Sequence, residues 1–174
     1  MIATAGGALA LGAGVALWRG SARRPRTTDT DQLFSSTFPD ADGNPYALSH
    51  WRGSLLVVNF WATWCAPCVE EMPTLNRIRS EYRSRGVEVI GLGIDNADKI
   101  RAFRDRYAIK LPLLVAGAGG SELARGLGNT AGVLPYTVLI SRSGAIERRH
   151  VGQIQAAELR SWLDSEVGPV KPGR

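Results

Sequence analysis

Both cysteines of the chain lie in one short segment, Asn59-Phe60-Trp61-Ala62-Thr63-Trp64-Cys65-Ala66-Pro67-Cys68. Residues 55–61 are almost all apolar and rich in β-branched and aromatic side chains, which predicts a buried strand. Apolar residues then recur at helical spacing, at Val69, Met72, Leu75 and Ile78. The cysteines are therefore expected where a strand turns into a helix, which we predict from about residue 65 to residue 83.

This position has a chemical consequence for the two sulfurs. The first N–H groups of a helix are unpaired and carry partial positive charge, so they stabilise an anion. We expect Cys65, at the helix start, to supply the attacking thiolate near neutral pH. Cys68, one turn further and less exposed, is placed to attack a mixed disulfide formed by Cys65. Pro67 suits the first helical turn, where its missing N–H costs little.

The run from Val58 to Pro73 resembles the TlpA/ResA branch of the thioredoxin superfamily, whose members are membrane-tethered, extracytoplasmic thiol–disulfide oxidoreductases. The resemblance covers roughly residues 34–166 of the sequence. It implies an α/β, thioredoxin-like fold with a central mixed sheet flanked by helices. It also implies an N-terminal hairpin, expected around the turn of residues 40–45, and a central strand–helix insertion.

The resemblance also identifies residues around the cysteines. Pro135 stands directly before a strand-like run and resembles the cis-proline that faces the cysteine pair in this superfamily. Trp64, Pro67, Leu134 and Pro135 are the predicted substrate-binding residues. Trp64 is expected to pack over the thiols, although such a residue can also be an ordinary boundary aromatic.

Glu71 is the third predicted catalytic residue, with Cys65 and Cys68. It follows Cys68 by three residues and so shares its side of the helix. Thioredoxins of other branches carry a buried Asp six residues before the first cysteine; that position is Asn59 here, which cannot titrate. Proton transfer to and from Cys68 would then fall to Glu71. The alternative is that Glu71 is a solvated helix charge like Glu70.

Several local patterns predict further elements. Asn96 should cap a helix that extends to about residue 107, and residues 155–167 should form a C-terminal helix. Residues 117–120 have the composition of a flexible turn, with Ser121 capping a short helix over 122–127. His50 is expected to be a solvated loop residue, and His150 to face solvent from a strand.

The N-terminal region predicts a location outside the cytoplasm. Residues 2–18 are apolar and uncharged, so residues 1–18 are interpreted as an uncleaved membrane anchor or signal segment, at the lower length limit for a bilayer span. A cleaved signal or a disordered tail is the alternative, and the arginines after this run oppose export. We assign residues 19–32 to a flexible tether, 33–168 to the thioredoxin-like domain and 169–174 to a loose tail.

Charge and composition exclude other classes of protein. The net charge is +5, of which the four arginines before residue 29 supply four, so residues 29–174 are near +1 and give no case for nucleic-acid binding. Beyond the cysteine pair there are only two histidines, too few for a four-ligand zinc site. We therefore expect neither a metal nor a cofactor.

The predicted function is the reduction of disulfides in exported proteins through the Cys65/Cys68 dithiol. The resemblance implies apocytochrome c among the substrates and a membrane thiol-electron donor of the CcdA/DsbD type. Two alternatives remain open at this point. One is a thiol peroxidase of the same fold, and the other is a binding module that keeps the fold without catalysis.

Overall fold

The computed structural model describes residues 30–169, which form one α/β unit. Its helices and strands follow one another as α1 (Asp31–Ser35), β1 (Thr37–Pro39), β2 (Pro45–Ala47), β3 (Leu55–Trp61), α2 (Ala66–Tyr82), β4 (Val87–Gly93), α3 (Ala97–Arg106), β5 (Leu113–Val115), α4 (Gly117–Gly126), β6 (Tyr136–Ile140), β7 (Ile146–Val151) and α5 (Ala156–Val167). Short 3-10 turns at Leu48–Trp51 and Arg83–Arg85 precede β3 and β4.

The central sheet is mixed, with the strand order β5-β4-β3-β6-β7. Strand β4 pairs in parallel with β3 and β5, whereas β6 pairs antiparallel with β3 and β7. Strands β1 and β2 form the predicted antiparallel hairpin, and the Asp40 carboxylate accepts hydrogen bonds from the Asp42 and Asn44 N–H groups in its turn. The predicted thioredoxin-like architecture is confirmed.

Strand β3 is the centre of the molecule, because all seven of its residues are buried. Its side chains alternate between two hydrophobic clusters, as strand geometry requires. Val57 and Trp61 face the cluster that contains α2 and α5, and Val58 and Phe60 face the cluster that contains α1 and α4. Asn59 has the parity of Val57 and Trp61, so its polar side chain points toward α2.

Helix α4 differs from the prediction for residues 117–120. We expected a flexible turn with Ser121 as the helix cap, but the helix begins at Gly117 and is preceded by Ala116. Gly120 is buried, and a Cβ there would lie 2.8 Å from the Ala116 Cβ and 3.0 Å from Cγ1 of Ile94. The glycine thus allows close packing against the end of β4, and this tertiary contact outweighs the low helix propensity of the segment.

The described residues include three that precede the predicted domain start at residue 33. Thr30 is buried, its hydroxyl donates to the Gly144 carbonyl over 2.6 Å, and α1 starts at Asp31. The predicted anchor over residues 1–18, the tether as far as residue 29 and the tail beyond residue 169 lie outside the described residues. Within residues 30–169, no helix combines the length and apolar character needed to cross a bilayer.

Candidate active site

The two cysteines form a disulfide, with an S–S distance of 2.06 Å and a Cα–Cα distance of 5.3 Å. Cys65 occupies the position just before α2, and Cys68 lies within the first helical turn, as predicted. Cys65 is 7% exposed and Cys68 is fully buried, so a second molecule can reach only the first sulfur of the pair. Pro67 lies at the second helical position, where its missing N–H costs no helical hydrogen bond.

The segment around Pro135 is the second predicted part of the site. The Leu134–Pro135 peptide bond is cis, as the resemblance implied, and Pro135 is buried at the start of β6. Leu134 packs against the hydrophobic cluster that contains both cysteines. The Pro135 carbonyl accepts a hydrogen bond from the Gly152 N–H over 2.8 Å, which joins this corner to the end of β7.

Apolar side chains are exposed at Trp64, next to Cys65 in the sequence, and at Val133, next to Leu134. Trp64 is 66% exposed, and its packing over the sulfurs stays a prediction. Val133, directly before Leu134, is 44% exposed. The Asn129 side chain fixes the Val133 backbone by donating to its carbonyl and accepting from its N–H. The roles of Trp64, Pro67, Leu134 and Pro135 in substrate binding remain predictions.

The loop before Cys65 is anchored by a residue that the sequence analysis missed. The Thr63 hydroxyl donates to the Asp95 carboxylate at the end of β4. Burial of Asp95 opposes its ionisation, but hydrogen bonds from Thr63 and Asn96, together with Lys99, hold the pKa of Asp95 below its ordinary value. Asp95 is therefore a carboxylate that holds the segment leading to Cys65 in place.

Glu71 is a buried carboxyl, not a solvated helix charge. It is only 2% exposed, whereas the neighbouring Glu70 is exposed. Its Oε1 accepts from Asn59 Nδ2 over 2.7 Å and its Oε2 accepts from the Ile154 N–H over 2.8 Å. Burial raises the pKa of Glu71 from its ordinary 4.5 to about 7, while the bonds from Ile154 and Asn59 and the charge of His150 each lower it. Glu71 can therefore exchange a proton near neutral pH.

Asn59 links Glu71 to the sheet. Its Nδ2 also donates to the Thr137 hydroxyl over 3.0 Å, and Thr137 is fully buried on β6. Asn59 Oδ1 is buried and has no hydrogen-bond partner among residues 30–169. The sequence indicated that Asn59 replaces a titratable Asp, but Thr137 and Ile154 carried no signal, because their contacts join distant parts of the chain.

His150 does not face solvent, so that prediction is wrong. It is partly buried on β7, with Nδ1 3.0 Å from Glu158 Oε1 and Nε2 3.3 Å from the Gln153 carbonyl oxygen. The ring lies on the sheet face that α5 covers, and strand alternation alone could not reveal this cover. His50, in contrast, is exposed as predicted.

The fold and the site define a thioredoxin-fold protein with a dithiol–disulfide centre at the start of a helix. The chain belongs to the redoxin family, whose sequence profile matches residues 27–163.

Individual relatives agree with this family. The chain is 33% identical over 125 residues to the thiol-disulfide oxidoreductase ResA of Bacillus anthracis, covering 71% of this chain and 70% of ResA. It is 30% identical over 128 residues to the thioredoxin-like protein YneN of Bacillus subtilis, covering 70% and 71% of the two chains. Among solved structures, it resembles a secreted Mycobacterium tuberculosis disulfide oxidoreductase homologous to E. coli DsbE, with a TM-score of 0.67 and 18% identity over 78% of this chain and 98% of the other. That structural likeness supports the fold.

The predicted class is thereby confirmed. The protein is a ResA-like thiol–disulfide oxidoreductase of the thioredoxin superfamily, with Cys65 and Cys68 as its disulfide pair.

Proposed function

We propose that the protein reduces disulfides of exported proteins on the extracytoplasmic face of a membrane, to which its N-terminal segment tethers it. The observation that carries the chemistry is the position of Glu71, a buried carboxyl with a pKa of about 7, one turn after the buried Cys68. A resolving cysteine without access to solvent needs a proton acceptor inside the protein, and Glu71 supplies it.

The reaction consists of two sulfur exchanges. The Cys65 thiolate attacks one sulfur of the substrate disulfide, and the substrate thiolate that leaves takes a proton from solvent. Cys68 then gives its proton to the Glu71 carboxylate, and its thiolate attacks the Cys65 sulfur. The mixed disulfide breaks and the Cys65–Cys68 disulfide forms. The second substrate thiolate leaves and takes a proton from solvent, and Glu71 returns its proton to solvent. Two electrons have passed from the protein dithiol to the substrate, which ends as two thiols.

A second partner has to return the protein to its dithiol form. We propose a membrane thiol-electron donor of the CcdA/DsbD type, as the resemblance implies, and exported proteins such as apocytochrome c as substrates. Trp64 and Pro67 are exposed within two residues of Cys65, and Leu134 packs against the cluster that contains both cysteines, so we propose these residues as the apolar contact surface for the partners.

Trapping tests the exchange mechanism directly. In the Cys68→Ala variant, Cys65 can still attack but nothing resolves the product, so mixed disulfides with substrates should accumulate and be identifiable by mass spectrometry. The double variant Cys65→Ser/Cys68→Ala is the matched control and should capture none. Adducts that form equally in both variants, or in neither, would contradict the proposed exchange mechanism.

Assays on the purified chain separate the competing functions. Reduction of a model protein disulfide by the dithiol form should vanish in Cys65→Ser. A thiol peroxidase would instead consume peroxide in a Cys65-dependent way, and a non-catalytic module would keep its binding in Cys65→Ser.

The proposed location is tested by fractionating cells that make the full chain or a chain without residues 1–29. Only the full chain should remain with the membrane after alkaline washing.

A further inference from the structure

A row of polar side chains crosses the three strands β3, β6 and β7. Asn59 on β3 is the register partner of Thr137 on β6, and Thr137 is the register partner of His150 on β7. Residues directly opposite each other on antiparallel strands project from the same face of the sheet. The row therefore lies on one face of the sheet. Glu71 of α2 accepts a hydrogen bond from Asn59, and Glu158 of α5 lies within hydrogen-bond distance of His150.

A loop joins the two ends of this row. His150 Nε2 lies 3.3 Å from the Gln153 carbonyl oxygen, and the next residue, Ile154, donates its N–H to Glu71 Oε2 over 2.8 Å. The imidazolium form of histidine carries a proton on both ring nitrogens, so it can donate to Gln153 and to Glu158 together. His150 and Glu71 thus hold consecutive residues of the same short loop.

The groups that face Glu71 are few and mostly uncharged. Cys68 precedes it on α2, while Asn59 and Thr137 are neutral and Ile154 contributes only its N–H. Among these neighbours, His150 is the one whose charge lowers the pKa of Glu71.

His150 in turn has neighbours on α5 and on its own strand. Glu158 lies against Nδ1, the Trp162 ring lies 6.3 Å away between centroids, and Arg148, two residues earlier on the same face, is exposed. Charges at partly buried positions are screened less than charges in solvent, so His150 acts on Glu71 more strongly than Arg148 does.

We propose, building on the proposed function, that His150 is a positioning residue for the resolving step, and that its charge, held in place by Glu158, sets how readily Glu71 accepts the Cys68 proton. When His150 is protonated, Glu71 remains a carboxylate and can take the proton from the Cys68 sulfur. When Glu71 already carries a proton, Cys68 stays a thiol and the mixed disulfide persists. His150 therefore extends the resolving step toward lower pH.

The test uses the oxidised full chain, in which neither cysteine titrates. Infrared spectroscopy follows the carboxyl band of Glu71 across pH, and Glu71→Gln identifies the band by removing it. His150→Gln should move the titration midpoint to higher pH and His150→Lys should move it to lower pH. At pH 7 we expect about a threefold change in the ratio of carboxylate to carboxyl in each case, equivalent to about half a pH unit. Midpoints equal to wild type in both variants would overturn the proposal.

Two further variants test whether the shift of the Glu71 midpoint comes from the charge of His150 and not from any positive charge on this face of the strand. Arg148→Gln removes one positive charge from the same strand face at an exposed position, so its midpoint should match wild type. Glu158→Gln removes the group that holds the ring, so its midpoint should rise as in His150→Gln. If His150→Gln fails to fold, Glu158→Gln and His150→Lys decide the matter, and unchanged midpoints in those two overturn the role of His150.

Kinetics connect the titration to the reaction. The rate at which a preformed mixed disulfide on Cys65 is resolved should have an acid limb that shifts in the same direction as each midpoint. A purely structural role of His150 would change the rate equally at every pH, and that result overturns the proposal. A wild-type chain that attacks no disulfide at any pH would instead refute the proposed function, and the infrared midpoints would still report on His150.

Discussion

Glu71 shows how two opposing effects set the chemistry of one residue. Burial disfavours its charged form, and the hydrogen bonds from Ile154 and Asn59 favour it, with burial the larger effect. An Asp at position 59 would add a second carboxyl against Glu71, and two carboxylates in one site cannot both ionise easily. Asn59 instead donates a hydrogen bond, so a single acid is left to serve Cys68.

Asn59→Ala should therefore raise the pKa of Glu71 above its value of about 7, because the carboxylate loses its side-chain donor. The infrared titration of the oxidised protein measures this change. Thr137→Val is the matched control, since it removes the other partner of Asn59 and leaves the bond to Glu71 in place. A midpoint that moves in Thr137→Val and not in Asn59→Ala would contradict this account.

Among the elements, α4 is the one whose existence depends on packing. Its first four residues include three glycines, which favour the unfolded chain, yet its buried Gly120, Leu123 and Ala124 face the core. Neighbouring glycines in this helix have opposite surroundings. A Cβ at Gly119 would meet nothing within 4 Å, whereas one at Gly120 would press against Ala116 and Ile94.

The two glycines offer a matched pair of substitutions. Gly119→Ala should raise the free energy of unfolding by about 0.5–1 kcal/mol, because alanine favours the helix and fits an open position. Gly120→Ala has the same propensity gain but must displace core atoms, so it should be less stable than Gly119→Ala by about 1–3 kcal/mol. Urea denaturation of both variants measures the difference. Equal stabilities would show that Gly120 is not needed for close packing.

At the scale of the whole molecule, Glu71 makes stability depend on pH in an unusual direction. Its pKa rises from 4.5 in the unfolded chain to about 7 in the folded one, so the folded state binds more protons between these values. Its contribution to stability is complete below about pH 4.5 and is lost as pH rises through about 7. Most carboxyl groups that gain partners on folding behave in the opposite way.

The prediction concerns the stability difference between Glu71→Gln and wild type. Glutamine does not titrate. The free energy of unfolding of the variant, relative to that of wild type, should therefore rise by about 3 kcal/mol as the pH increases from 4.5 to 8. Urea denaturation of the oxidised proteins across this range gives the difference at each pH. Glu70→Gln removes the same charge at an exposed neighbouring position, and its curve should run parallel to that of wild type. A parallel curve for Glu71→Gln would mean that Glu71 is ionised throughout.

Local patterns in the sequence were sufficient for the part of the site that lies along one stretch of chain. The apolar run before Cys65 and the helical spacing after it placed the disulfide at the start of α2. The Asn96 cap was also predicted, since its side chain accepts from an N–H only three residues away. Such signals are readable because they act between residues that are close in sequence. The cis-proline came from the family resemblance instead of from local physics.

The tertiary structure alone decided the surroundings of Glu71. Asn59 meets Thr137 across 78 residues of chain, and Glu71 meets Ile154 across 83. His150 joins this network because of the register between β6 and β7, which no local pattern specifies. Helix α4 likewise forms because its buried face packs on the sheet. The sequence by itself determined where the sulfur chemistry occurs, whereas strand register and helix packing determined which groups control its protons, since those contacts exist only after distant segments have come together.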